Sequence, residues 1–317
     1  MRAVRYGIRR TRVVATLAAL AACATAVGAC GNADQDAAAP AATTKATNKA
    51  TTPADMVPAS VRATGTLSVG TNVPFAPMEY FKADNKTFTG ADIDLINAIA
   101  DGLGLRTKIS NQNWDGLVPA VASHRLDVTI SGTGDFTDRQ KQVDFVDYLN
   151  ASAEVVMPKK YAGTTDEMVL CGLTVGAQSG SVQISATKAA SKRCTDAGRP
   201  AIKLKTFQED PQAALALKSG RVDAHPTDGP IAEQEAARVD GGKTLVALFP
   251  HFLRTTILYG IGVDKTETGL TQAIQAQLNV LIRNGTYTNI LKRYHLEHLA
   301  LPEATINGGK TSSTAIS

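Results

Sequence analysis

Short apolar runs alternate along the chain with segments in which apolar residues recur every three or four positions. Residues 66–71 and 126–131 predict strands, and Ile93, Ile96 and Ile99, continued by Ala100 and Leu103, recur at the spacing of a helix face. A second series predicts strands at 173–178, 202–207 and 222–224, and helices at 181–193 and 211–218. Strands and helices that alternate in this way are typical of an α/β fold.

Two short motifs resemble each other, and each comes just before a predicted strand. Residues 123–127 are Ser-His-Arg-Leu-Asp, and residues 219–223 are Ser-Gly-Arg-Val-Asp. Chance can produce such a match, because turns between a helix and a strand often use small and charged residues. If the match marks a repeat, two similar lobes would face one cleft with their strand ends, the usual place for a ligand in open α/β sheets.

The N-terminal 29 residues have the pattern of an export signal. An apolar, Ala-rich run from Val13 to about Ala29 follows five arginines, and it is too short to favour a membrane-spanning helix. Removal of this segment lowers the number of basic residues from 33 to 28, against 29 acidic residues, a net charge of −1. The basic charge of the full chain therefore gives no support for nucleic-acid binding.

Two cysteines follow the apolar-small-small-Cys pattern of bacterial lipoproteins, Cys23 and Cys30. We favour Cys30 as the lipidated first residue of the mature chain, because the residues after it become polar while those after Cys23 stay apolar. Residues 30–60 contain almost no large apolar side chain and predict a disordered tether, and residues 306–317 predict a disordered tail. These features place the protein on the outer face of the cytoplasmic membrane, held by its lipid.

The export signal also decides how the other two cysteines are interpreted. Cys171 and Cys194 are the remaining pair, and outside the cytoplasm a disulfide is the expected state of such a pair. The five histidines show no metal-ligand spacing with them. We predict a Cys171–Cys194 disulfide and no metal or other cofactor.

A series of stretches in a fixed order carries a family resemblance between Thr66 and about His295. They are residues 70–80, 89–95, 114–120, 127–132, Arg139, 144–145, 175–181, 220–224, Asp228, 259–261 and 284–287. In these stretches the chain resembles the family 3 solute-binding proteins, which bind polar amino acids. The resemblance implies a type II periplasmic-binding-protein fold, in which two α/β lobes are joined by a two-segment hinge.

The resemblance also implies the domain boundaries. The first lobe is expected at 61–154 and 258–305, and the second lobe at 159–254. Two crossing segments, near 155–157 and 257–259, are expected to form the hinge. A ligand would then bridge the lobes and stabilise their closure.

The family's ligand contacts transfer to specific positions of this chain. Arg139 matches the arginine that binds the ligand carboxylate, and Asp228 matches the aspartate that binds the ammonium group. Without the resemblance, Arg139 would be taken for a solvated helix residue and Asp228 for a helix N-cap. The other expected contacts are Asn72, Phe75, Trp114, Ser131, Gly132, Gly134, Ser179 and Ser181.

Three positions depart from the family pattern and bear on the ligand. Gly134 stands where many relatives have a hydroxyl residue, Asn72 stands where several members carry an acid, and Asp135 adds a negative charge close to the expected site. The ligand is therefore expected to be a polar amino acid, with opines and small amines as alternatives.

The resemblance implies the substrate-binding component of an ABC importer, acting as a monomer with the permease subunits as partners. Two alternatives use the same cleft. One is a dehydratase-like enzyme of the same fold, for which His225 is the candidate acid or base. The other is a ligand-sensing module that docks on a receptor.

Overall fold

The computed structural model describes residues 51–315. The predicted export signal, Cys23, Cys30 and the tether up to residue 50 lie outside the described residues. Within the described range, no helix combines the length and the apolar character needed to cross a membrane.

The first part of the described chain builds most of one sheet. Its strands and helices are α1 (Ala59–Thr64), β1 (Thr66–Thr71), β2 (Tyr80–Phe81), β3 (Phe88–Thr89), α2 (Ala91–Gly102), β4 (Arg106–Asn111), α3 (Leu117–Ala122), β5 (Val128–Thr129) and β6 (Val143–Ala151). The predicted strand at 66–71 and the predicted helix face are confirmed. Leu67 and Val69 of β1 are fully buried, as are Ile96 and Ile99 of α2.

The middle part forms the second lobe. Its elements are β7 (Ala153–Pro158), β8 (Thr174–Gln178), α4 (Val182–Asp196), β9 (Lys203–Phe207), α5 (Asp210–Lys218), β10 (His225–Asp228), α6 (Gly229–Arg238) and β11 (Leu245–Leu248). The chain then returns to the first lobe through β12 (Ile257–Asp264), α7 (Thr268–Arg283) and α8 (Thr286–Arg293).

Each lobe is built around its own sheet. The first lobe has the strand order β4-β1-β5-β12-β6, with β1 parallel to its neighbours and β12 antiparallel to both of its own. In the second lobe, β10-β7-β11 is antiparallel, β8 pairs with β9 in parallel, and a bridge between Val175 and Ala224 connects the two groups. Two α/β lobes agree with the predicted architecture.

The lobes are joined at Ser152, between β6 and β7, and by residues 249–256, between β11 and β12. The hinge expected at 155–157 and 257–259 is therefore displaced. The apolar run at 155–157 belongs to β7, which already pairs with β10 and β11 from Ala153 onward. Residues 257–259 likewise begin β12.

The two similar motifs form equivalent turns in the two lobes, which confirms the repeat. In each motif the arginine Nε donates to the serine Oγ at 3.1 Å. The aspartates also have the same role. Asp127 accepts from the Ser68 N–H at 2.7 Å, and Asp223 accepts from the Thr174 N–H at 2.8 Å, so each ties its turn to a strand of its own lobe, β1 in the first and β8 in the second.

The structure differs from the expected element bounds at 222–224. The strand β10 lies at 225–228. Val222 and Ala224 are buried just before it, and of the two only Ala224 pairs, in the isolated bridge with Val175. The predicted disulfide is confirmed: Cys171 and Cys194 are bonded, with their Cα atoms 5.5 Å apart. It fastens α4 to the segment that leads into β8.

The segment expected to be a tether is ordered from its residue 51 onward. A capping box between Thr52 and Asp55 begins a short 3-10 helix at 53–56, and this helix packs against α7. Val57 and Val61 are buried in the first lobe. Within the expected tether, Val57 is buried and Met56 packs against the same core, so this part of the segment docks although its average composition suggested disorder.

The segment expected to be a disordered tail is ordered to residue 315. Its backbone and hydroxyl groups donate hydrogen bonds to carboxylates of the first lobe. Composition could not indicate this, because the partners are more than 150 residues away along the chain.

Candidate functional site

A narrow cavity lies between the lobes, at the carboxyl ends of several strands. Asn72 and Ser131 follow β1 and β5 in the first lobe, while Gln178 and Asp228 end β8 and β10 in the second. This is where ligands bind in open α/β sheets. The lining residues are Asn72, Phe75, Trp114, Ser131, Gln178, Ser181, Gln183, Asp210, Thr227 and Asp228.

A second cavity adjoins the first, and the guanidinium of Arg139 lines it. Gly132, Gly134, Arg139 and Tyr259 line it from the first lobe, and Gln183 and Asp228 line it from the second. Arg139 and Asp228 therefore face the same space from different lobes. All the expected ligand contacts except Ser179 line one of the two cavities.

Arg139 is held in place by neutral groups of its own lobe. One guanidinium nitrogen, Nη1, donates to the Gly134 carbonyl at 3.0 Å. The guanidinium lies over the rings of Trp114 and Phe136, at 5.6 Å and 5.2 Å from their centroids. These contacts fix the planar group and leave donors free for a carboxylate.

Asp228 is 7 % exposed and accepts two hydrogen bonds. Gln183 Nε2 donates to its Oδ1 at 2.5 Å, and the Tyr259 hydroxyl donates to its Oδ2. Burial raises the pKa of Asp228 to about 7, and the nearby charge of Asp210 adds to this effect, while these two hydrogen bonds and the charge of Arg139 oppose it. An ammonium ion in the cavity would stabilise the ionised carboxylate.

Asn72 connects the two lobes directly. Its Nδ2 donates to Glu209 Oε2 at 3.0 Å, and its Oδ1 accepts from Gln178 Nε2 at 3.2 Å. Because Glu209 and Gln178 belong to the second lobe, the structure describes a closed arrangement of the cleft.

The floor of the cleft is supported by buried acids. The Ser131 hydroxyl donates to Glu79 Oε1 at 2.5 Å, and the Gly132 N–H donates to Asp92 Oδ2 at 2.8 Å. Burial raises the pKa of Glu79 well above its usual range and that of Asp92 to about 7. The negative charge of Asp92 adds to the rise in the pKa of Glu79, so the two buried carboxyl groups act on each other.

His225, the candidate acid or base of the enzyme alternative, does not reach the cleft. It is fully buried, with Nδ1 3.0 Å from the Gly176 carbonyl oxygen and Nε2 3.3 Å from Asp210 Oδ1. Burial lowers the pKa of His225, but the negative charges of Asp210 and Glu235 outweigh this effect and raise it to about 9. The imidazolium therefore balances the charge of Asp210 behind the cavity wall.

Two residues near the expected site already have hydrogen-bond partners in the protein. The Ser179 N–H donates to the Phe207 carbonyl at 2.7 Å and so is not available to an anion. Asp135 does not line the cleft, because its carboxylate accepts from Gln140 Nε2 and from the Gly309 N–H, both at 2.7 Å.

Several lining residues were missed, and they have weak sequence signals. Tyr259 lies in one of the stretches that resemble the family, but only the fold brings its hydroxyl to Asp228. Gln183 follows the Ser-Gly-Ser turn in the first turn of α4. Asp210 and Thr227 lie in α5 and β10, and Glu209, which contacts Asn72 across the cleft, comes just before α5. Nothing in their local pattern distinguishes them from helix caps and strand residues.

Comparison with known proteins agrees with this geometry. The chain matches the family model described as bacterial extracellular solute-binding proteins, family 3, over residues 67–297. It is 30 % identical to an arginine-binding protein of Corynebacterium glutamicum, covering 80 % of this chain and 81 % of that one. It is also 30 % identical to a probable histidine-binding protein of Neisseria gonorrhoeae, covering 87 % and 93 %.

A solved structure of an ancestral arginine-binding protein bound to arginine superposes with a TM-score of 0.63. It shares 32 % identity, and the match covers 73 % of this chain and 98 % of that one. The predicted type II periplasmic-binding-protein fold is confirmed, as is the role of substrate-binding protein. The chain belongs to the bacterial extracellular solute-binding proteins, family 3.

Proposed function

We propose that this protein captures one α-amino acid between its lobes and delivers it to the permease of an ABC importer. The observation that carries the proposal is the placement of Arg139 and Asp228 on one cavity, from opposite lobes. An α-amino acid needs a cation for its carboxylate and an anion for its ammonium group. Arg139 can make two parallel charge-assisted hydrogen bonds to the first, and Asp228 can accept from the second.

The aromatic walls suit the rest of such a ligand. Phe75 and Trp114 line the cavity from the first lobe, beside the strand-end loops that contribute Ser131 and Gly132. The side chain of the ligand would extend toward Asn72, Gln178 and Asp210. These are polar groups, which supports a polar or cationic amino acid over an aliphatic one.

Binding without catalysis is the function that the cleft supports. The candidate acid or base, His225, is fully buried and already paired with Asp210. Asp210 in turn accepts from the Thr227 hydroxyl at 3.1 Å. His225 is therefore part of a network behind the cavity wall and does not meet the ligand.

A thermal-shift screen of the mature protein against the standard amino acids, opines and small amines tests this function. A ligand that binds only the folded state raises the melting temperature. We expect arginine, lysine, ornithine or histidine to give the largest shift, followed by confirmation by titration calorimetry. No shift with any amino acid, together with a shift with an amine lacking a carboxylate, would defeat the amino-acid proposal.

The location and assembly belong to the same proposal. The family is extracellular, and we infer that this member is a monomer anchored through a lipid on Cys30. Mass spectrometry of the mature N-terminus tests the anchor: Cys23 as the modified residue would contradict it. Light scattering of the mature protein at micromolar concentration checks the monomer.

A further inference from the structure

The segment 305–313, here called the strap, follows the part of the chain that matches the family. It begins as an extra partner for β6, the edge strand of the first sheet. Ile306 forms an antiparallel bridge with Val146, and the Asn307 N–H donates to the Phe145 carbonyl at 2.9 Å. Pairing of this kind covers the open edge of the sheet.

Four carboxylates of the first lobe then accept hydrogen bonds from the strap. The Gly308 N–H donates to Asp147 Oδ2 at 2.9 Å, and the Asn307 amide donates to Asp144 Oδ1 at 2.9 Å. Asp135 Oδ2 accepts from the Gly309 N–H at 2.7 Å. Asp138 accepts from the Ser313 N–H at 2.7 Å and from the Ser313 hydroxyl at 2.6 Å.

These contacts lie on both sides of Arg139. Asp138 comes directly before it, and the Thr137 N–H donates to the Thr311 carbonyl at 3.0 Å. Gln140 comes directly after it, and Gln140 Nε2 donates to Asp135 at 2.7 Å and to the Gly309 carbonyl at 2.8 Å. The strap therefore contacts the side chains of both neighbours of Arg139 and the backbone of Thr137.

The strap also contributes to the space around the guanidinium. Ser313, Asp138, Arg139 and Trp114 line one common cavity on the outer side of the cleft. Asp138 and Asp135, which the strap engages, are carboxylates of the same lobe whose negative charges act on the guanidinium. Asp138 and Asp135 would compete with a ligand for the guanidinium if the strap did not occupy them.

We infer that the strap positions Arg139 for the ligand carboxylate, and that its backbone and hydroxyl donors keep Asp135 and Asp138 from pairing with the guanidinium. The inference rests on the proposed function of Arg139. It makes the strap a positioning segment for ligand binding, not a ligand contact.

Gly309 offers a point variant that releases the strap. A Cβ atom on Gly309 would lie 1.9 Å from the Asp135 carbonyl oxygen, which is backbone and cannot move aside without shifting the loop before Arg139. Gly309→Ala should therefore lift the strap at this point. Lys310→Ala is the matched control, because Lys310 is an exposed neighbour whose amine contacts only the Asn307 carbonyl, at 3.2 Å. A chain ended after residue 304 removes the strap entirely.

Two measurements distinguish positioning from simple stabilisation. Trp114 is the sole tryptophan of the chain and lies under the guanidinium, so its fluorescence reports the place of Arg139 without any ligand. The affinity for L-arginine, used as the probe, reports the consequence. We expect Gly309→Ala and the chain ended after residue 304 to change the Trp114 emission in the same direction as Arg139→Ala does. Their affinity for L-arginine should fall about tenfold, the result of losing one well-aligned charge-assisted contact.

Each outcome decides a separate point. Emission and affinity equal to those of the wild type in the shortened chain would overturn the inference, whatever the change in melting temperature. A lower melting temperature in Lys310→Ala with the same loss of affinity would also overturn it. If the wild-type protein does not bind L-arginine or any other amino acid, the proposed function fails, and the Trp114 emission alone still decides whether the strap positions Arg139.

Discussion

Tyr259 of the first lobe donates its hydroxyl hydrogen to the Asp228 carboxylate of the second lobe. Tyr259 is fully buried, so this hydrogen bond crosses the cleft in a region shielded from water. It partly offsets the cost of keeping Asp228 ionised. The anion expected to bind a ligand ammonium is thus held by a side chain of the opposite lobe.

Tyr259→Phe should shift the pH dependence of ligand binding to higher pH. Hydrogen bonds to charged groups contribute about 1.5–3 kcal/mol, so their loss favours the protonated form of Asp228. The pKa of Asp228 should rise further above its wild-type value of about 7. Ligand affinity in the wild type should fall as the pH drops through about 7, and in Tyr259→Phe this fall should begin at a higher pH. Calorimetric titrations between pH 5.5 and 8.5 check this, and identical pH midpoints in the two proteins would contradict it.

Asp228 should also make the stability of the ligand-free protein depend on pH. Burial raises its pKa from 3.8 to about 7, so between these pH values the folded chain binds this proton more tightly than the unfolded chain does. The free energy of unfolding should therefore decrease as the pH rises from about 4 to about 7.

The comparison with Asp228→Asn isolates this contribution, since other buried acids titrate in both proteins. Relative to the variant, the wild type should lose about 2–3 kcal/mol of stability between pH 5 and pH 8. Urea unfolding at each pH measures the difference. A pH-independent difference between the two proteins would mean that Asp228 titrates normally.

Arg139→Ala and Asp228→Ala should each weaken ligand binding strongly. Either change leaves one ligand charge desolvated without its partner, at a cost of about 2–5 kcal/mol, or roughly thirtyfold to several-thousandfold in affinity. Arg106→Ala and Asp101→Ala change exposed residues of the first lobe. They are the controls and should bind the ligand normally. Calorimetry with the ligand from the screen is the measurement. A loss with Asp228→Ala alone would indicate a cationic ligand that has no carboxylate.

The strands, the helices and the two charged residues expected to bind the ligand could be predicted from the sequence, because each depends on a local pattern. The helix face of α2 and the strand β1 follow from the spacing of isoleucine, leucine and valine, and Arg139 and Asp228 lie in recognisable stretches. The hydrogen-bond partners of Asp135 could not be predicted in this way. Its partner Gly309 is 174 positions away, and only the folded chain shows that this carboxylate is already occupied. Tyr259 and Asp228 likewise meet only because β12 returns to the first lobe.

The disulfide should stabilise the second lobe without affecting the cleft. Cys171 and Cys194 close a loop with a sequence separation of 23, for which the chain-entropy model gives about 3 kcal/mol. The double change of both cysteines to alanine should lower the free energy of unfolding by about that amount. Because neither cysteine lines the ligand cavity, affinity should stay within a factor of about two. Denaturant unfolding and calorimetry on the same samples check both statements.

At Glu79, which is buried beside Asp92, the protein should tolerate substitution by glutamine but not by alanine. Burial raises the pKa of Glu79 well above its usual range, the charge of Asp92 adds to this effect, and Glu79 Oε1 accepts from the Ser131 hydroxyl. If Glu79 is the protonated member of the pair, Glu79→Gln replaces an O–H donor by an N–H donor and keeps the acceptor for Ser131. We expect Glu79→Gln to fold and bind almost as the wild type does.

Glu79→Ala should instead lower the free energy of unfolding by about 2–4 kcal/mol, because Asp92 and Ser131 both lose a buried partner. Ligand affinity should fall as well, since Ser131 and Gly132 form the floor of the cleft and are held by this pair. Glu297→Gln, at an exposed position, is the control for the change of charge and should alter neither quantity. Urea unfolding and calorimetry at pH 7 measure both effects. If Glu79→Gln is as unstable as Glu79→Ala, Glu79 is ionised in the folded protein and the proton lies on Asp92.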